Sequence, residues 1–217
     1  MLRKFRDPVS GLTHLLGALL SVVGLVCLLW VAIERGSVWH VVSFAVFGVS
    51  LILLYSGSAV YHLVRASDRV IQILRRVDHM MIFVLIAGTY TPFCLVPLRG
   101  PWGFALLSGI WLVGILGMVF SILWIDAPRW LTTGIYLAMG WAIVIAAFPL
   151  ARHLSVGALA WMGAAGLFYT LGAVIYATKR PNLVPGVFGF HEIWHLFVMA
   201  GSFSCFWTVF RYIPSLR

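Results

Sequence analysis

Acidic residues are scarce in this chain. Six aspartates and glutamates stand against fifteen lysines and arginines in 217 residues, and charged residues make up only 10% of the total. A soluble domain carries about a quarter charged residues, so a water-exposed globular fold is excluded. There are three cysteines, Cys27, Cys94 and Cys205, too few and too far apart for a disulfide framework or a cysteine metal site. All three fall in apolar runs and read as small core hydrophobes. The alternating, turn-punctuated pattern of a membrane barrel is absent. No polar domain, low-complexity linker or internal repeat interrupts the chain.

What is present is apolar: 62% of the residues are hydrophobic and the mean hydropathy is +1.03. About 20 apolar residues carry a helix across the hydrocarbon core. Seven such runs lie near 12–33, 38–63, 80–98, 102–125, 130–150, 156–178 and 187–213. In lipid every backbone polar group needs an internal partner, which leaves helices once a barrel is excluded. The expected fold is therefore all-α, a polytopic membrane protein whose single domain over 1–217 is a bundle of seven transmembrane helices. Met1–Trp30 has the basic start and apolar stretch of a signal peptide, but the run is too long and lacks a small-residue cleavage site. It reads as an uncleaved first span.

The formal net charge of +9 would suit nucleic acid, but the basic residues are not gathered on a polar module that could meet a duplex, so no nucleic-acid partner is expected. They sort by side of the membrane instead. With a cytoplasmic N-terminus, ten of the fifteen fall on inner segments: Arg3, Lys4, Arg6, Arg65, Arg69, Arg75, Arg76, Arg129, Lys179 and Arg180. This bias predicts N-terminus in and C-terminus out. The densest segment is RASDRVIQILRR, residues 65–76. It reads either as a short helix lying on anionic lipids of the inner leaflet or as a solvated basic loop.

Polar residues at membrane depth carry most of the functional information, because each must be paired, hydrated or put to use. The fourth and fifth runs hold no acidic, basic or histidine residue and the sixth none before Lys179, so these three read as scaffold. Small residues such as Gly117 and Ser121, or Ala142 and Ala146, allow close helix contacts there. The second run ends in YSGSAVYHL (55–63), with Ser58 and His62 on one helical face. The third opens with RRVDHMMIF (75–83) and Asp78. The last opens with GFHEIWHLF (189–197), with His191 and His195 one turn apart. Under the N-in topology all five residues fall within about two turns of one membrane surface, at a rise of 1.5 Å per residue.

Three imidazoles and a carboxylate at one depth match a zinc site that keeps one position open. His62, His191 and His195 are the candidate ligands. Asp78 is either a fourth ligand or the general base that takes a proton from water. Ser58 is placed to steady that water or a developing oxyanion. Plainer readings stand beside this one. The histidines could be wetted by headgroup water or merely hydrogen-bonded between helices, Asp78 could pair with Arg75 or Arg76, and Ser58 could bond back to the Leu54 carbonyl. His79 and Glu192 are turned about 100° from the neighbouring site residues and suit supporting roles. His14, at the start of the first span, is a reserve candidate. His40 and His153 belong to the outer side. Pro92 predicts a kink in the third span.

The motifs SAVYH, RRVDHMMIFVLIAGTYTPF and HEIWH, with DPVSGLTH ahead of the first span, resemble the bacterial hemolysin III proteins. These are grouped with the progestin and adipoQ receptors and, more widely, with the alkaline ceramidases. The likeness covers essentially all seven spans. It implies a seven-helix bundle in the bacterial cytoplasmic membrane with zinc held by His62, His191 and His195, Asp78 as partner of a water and Ser58 in support. It also implies hydrolysis of a lipid amide. The chain departs from the family pattern in the first motif, where Asp7 and Ser10 replace a usual Glu and Asn, and the role of that stretch is open.

Three functions follow as expectations: a zinc-dependent hydrolase acting on a lipid amide or ester, a pore-forming cytolysin, or a zinc-containing receptor or regulator without turnover. A conducting path needs polar residues at successive depths. Here they gather at one end.

Overall fold

The computed structural model describes residues 5–216, and every regular element longer than an isolated bridge is helical. Helix α1 (Pro8–Arg35) starts on a proline, whose fixed φ and missing N–H suit a first turn. After Gly36 and Ser37 the chain reverses into α2 (Val38–Leu63), where the His40 ring accepts from the Ser37 backbone N–H at 3.0 Å and closes the turn. Helix α3 spans Asp68–Leu95. Helix α4 (Pro101–Leu123) again opens on proline, behind Gly100, whose φ of 144° favours glycine.

The stretch expected as the fifth span is not one regular helix. It comprises α5 (Arg129–Trp141), a 3₁₀ turn (Ala142–Ala146) and α6 (Ala147–His153). The reason is local: Pro149 has no N–H to give the carbonyl four residues back, and its ring crowds that position, so the preceding turn tightens. The Tyr90 hydroxyl reaches the Met139 and Gly140 carbonyls just ahead of the break, at 2.7 Å each. Helices α7 (Val156–Thr178) and α8 (Phe190–Tyr212) complete the chain, α7 being capped by Ser155, whose Oγ accepts from the Ala158 N–H.

A second difference concerns residues 65–76. No breaker separates Asp68 from Met80, so α3 runs unbroken from Asp68, and the expected separate surface helix is simply its first turns.

Helix α1 packs along α2, α2 along α3 and α3 along α4; α5 bridges α3 and α7, and α7 packs on α8, which returns to α1 and closes the ring. Outward positions are apolar, including Leu19, Val23, Val26 and Trp30 on α1 and Leu112 and Leu116 on α4. Buried positions include many polar side chains, among them Ser10, His14, Ser43, Ser50, Ser58 and Thr208. This arrangement, apolar outside and polar within, suits a bilayer. Among the described residues six stretches are long and apolar enough to cross a membrane: α1, α2, α4, 129–153, α7 and α8.

Candidate metal centre

Helix α2 ends at Leu63, which puts His62 in its last turn, while α8 begins at Phe190, which puts His191 in its first turn and His195 one turn further on. The ring places these two helix ends together. The His62 ring centroid lies 5.0 Å from that of His191 and 5.1 Å from that of His195, and the two α8 rings are 4.6 Å apart. His62 and His195 are buried and His191 is half-buried.

One nitrogen from each ring lies within 4.8 Å of the others. His62 Nε2 and His191 Nε2 are 3.3 Å apart, the separation of two nitrogens each about 2.0–2.1 Å from a single ion in a tetrahedral arrangement, about 3.3 Å. The donor set therefore fits a metal ion, which the three imidazoles could hold.

Ser58 lies one turn before His62 and is 1% exposed. Asp78 is half-buried and borders a partly open cavity of about 280 Å³. Among the described residues Asp78 makes no ion pair; Arg75 instead donates to Asp126 at 3.0 Å, across the α4–α5 connection. His191, His195 and Ser58 border the same cavity, and aromatic and aliphatic side chains such as Tyr136, Tyr176, Trp194, Ile82 and Met162 complete much of its wall. His79, expected to turn away from the site, also borders it, because the cavity is broad enough to reach two neighbouring faces of α3.

Two further groups meet the cluster that sequence reasoning ranked low or left open. The His14 ring stacks on that of His195, centroids 3.6 Å apart and planes 12° from parallel. Neither His14 nitrogen has a hydrogen-bond partner among the described residues. Asp7, just ahead of α1, holds His62 at both ends: its Oδ2 accepts from His62 Nδ1 at 3.2 Å, and its backbone N–H donates to the His62 carbonyl at 2.9 Å. Burial pushes the Asp7 carboxyl up, but hydrogen bonds from Arg6 and His62 outweigh it and hold the group below its usual value. Ser10 donates from Oγ to Glu192 Oε1 at 2.6 Å, and its carbonyl accepts from His195 Nδ1 at 3.3 Å. The signal for this stretch was its position immediately before the first span, at the depth where the histidines gather.

A ring of apolar helices with an imidazole cluster at one end defines a polytopic helical membrane protein with a candidate metal centre. The family model described as Haemolysin-III related matches residues 2–206. A hemolysin-3 homolog of Bacillus subtilis (strain 168) is 41% identical over 206 residues, covering 95% of this chain and 93% of that protein. Hemolysin-3 of Bacillus cereus is 38% identical over 207 residues, covering 95% and 91%. The adiponectin receptor protein of Drosophila melanogaster is 28% identical over 216 residues, covering 88% of this chain and 47% of that one. The chain belongs to the haemolysin III family, within the group that includes the progestin and adipoQ receptors.

Proposed function

We propose that this protein is a zinc-dependent hydrolase of a lipid amide or ester. In this reading it is a seven-span protein of the bacterial cytoplasmic membrane, N-terminus in and C-terminus out, with α3 as the remaining span and the site at the cytoplasmic side. The observation that carries the proposal is the meeting of three imidazole nitrogens within 4.8 Å beside a largely apolar cavity bordered by Asp78 and Ser58. The His79–Asp78 end supplies polar groups and the aromatic and aliphatic wall accommodates an acyl chain.

A zinc ion held by His62, His191 and His195 would supply Lewis-acid activation of water and of the substrate carbonyl. Asp78 takes a proton from the attacking water as its oxygen bonds to the carbonyl carbon. Ser58 donates a hydrogen bond to the oxygen on which negative charge develops. When the C–N or C–O bond breaks, Asp78 returns the proton to the leaving amine or alcohol and ends ionised, as it began. The exposed Arg65 and Arg69 at the foot of α3 suit the headgroups of anionic lipids.

The test is metal quantification on detergent-purified protein, together with turnover of a lipid-amide and lipid-ester panel with and without chelator. About one zinc per chain and chelator-sensitive release of fatty acid are expected. Zinc without turnover would replace the hydrolase by a receptor or regulator. A metal-free protein that passes ions across liposomes would replace it by a pore.

A further inference from the structure

We propose that Asp7 and Ser10 are positioning residues for the histidine cluster, setting the tautomers of His62 and His195 so that both present Nε2 to the centre. The hydrogens available to each ring decide its tautomer. A backbone carbonyl has no hydrogen to give, so the contact between the Ser10 carbonyl and His195 Nδ1 requires His195 to donate. Asp7 Oδ2 accepts from Arg6 Nε at 2.9 Å as well as from His62 Nδ1, the pattern of an ionised carboxylate, so His62 donates there too. A neutral imidazole has one N–H. With that hydrogen on Nδ1, Nε2 is left with a free lone pair in both rings, and in His62 this is the nitrogen that faces His191.

The remaining contacts hold the brace in place. The Asp7 N–H is bonded to the His62 carbonyl, and the Ser10 hydroxyl holds Glu192, whose other oxygen accepts from the Gly189 N–H at the start of α8. Gly11 lets this segment lie directly on the end of α2, since a Cβ there would overlap Leu63. Asp7 and the first turn of α1 thus tie α2 to α8 across the cluster. An outer hydrogen-bond acceptor fixes ring orientation and raises ligand basicity, and its loss lowers metal affinity about 10- to 100-fold. The consequence for metal rests on the zinc reading. The tautomer assignment does not.

Two measurements test it. Histidine ¹⁵N spectra of the metal-free protein, with the His62 signal identified by its disappearance in His62→Gln, are expected to show His62 protonated on Nδ1. In Asp7→Ala the same ring is expected to become a mixture of tautomers. Competition against a chelator of known affinity is expected to show zinc bound about 10- to 100-fold more weakly by Asp7→Ala. Asp7→Asn, which keeps an acceptor oxygen, is expected to recover most of that loss. A His62 proton on Nε2 in the unsubstituted protein overturns the proposal, whether or not Asp7→Ala folds. Unchanged tautomer and affinity in an Asp7→Ala protein that has only become less stable also overturns it, leaving Asp7 a packing residue. If the unsubstituted protein shows the expected tautomer but binds no zinc, the brace stands and the hydrolase reading fails.

Discussion

The His14 ring lies flat on the His195 ring, 3.6 Å between centroids, with both of its own nitrogens buried and unpartnered among the described residues. A buried polar group without a partner costs about 1–3 kcal/mol. His14→Phe keeps a flat ring against His195 and removes the two unpaired nitrogens. It is expected to raise stability by about 1 kcal/mol and leave metal content unchanged. Thermal unfolding in detergent and metal analysis check this, and loss of the ion would make His14 part of the metal site.

Asp78→Asn keeps the shape of the side chain and removes its capacity to accept a proton. Because the imidazoles are untouched, zinc content is expected to hold while turnover falls about 10²- to 10⁴-fold, the usual contribution of a general base. Loss of zinc together with activity would identify Asp78 as a ligand.

Tyr90 braces the end of α5 just ahead of the 3₁₀ turn, its hydroxyl 2.7 Å from both the Met139 and the Gly140 carbonyl. Tyr90→Phe leaves those carbonyls short of a donor. A loss of about 1–3 kcal/mol is expected in equilibrium unfolding, and an unchanged midpoint would show that the tightened turn stands on Pro149 alone.

Gly117 on α4 sits directly against the Phe83 ring of α3, where a Cβ would overlap it, whereas Gly109 on the same helix faces open space. Gly117→Ala is expected to cost about 1–3 kcal/mol by overpacking, and Gly109→Ala to leave the melting temperature no lower. Equal behaviour of the two variants would remove Gly117 from the α3–α4 contact.

The helical architecture was legible because a bilayer leaves one period and one length for a crossing segment, and hydropathy alone marks such segments. The grouping of His62, Asp78 and His191 at one end was legible for the same reason: successive spans alternate in direction, so depth can be counted along the chain. The break at 142–146 was obscured because Ala142–Ala146 is as apolar as its flanks, and hydropathy does not register a change of helical pitch. The start of α3 at Asp68 was likewise hidden, since charged turns extend a helix without extending its apolar run.

The sequence by itself determined a polytopic helical fold and which apolar runs carry ionisable residues, because both follow from the solvation of side chains and backbone one segment at a time. Only the tertiary structure decided which of their faces meet: that His14 stacks on His195, that Asp7 and Ser10 each accept from an imidazole Nδ1, and that Asp78 borders a cavity while Arg75 turns to Asp126. Those relations depend on the rotation of each helix about its own axis, which packing against several neighbours sets at once.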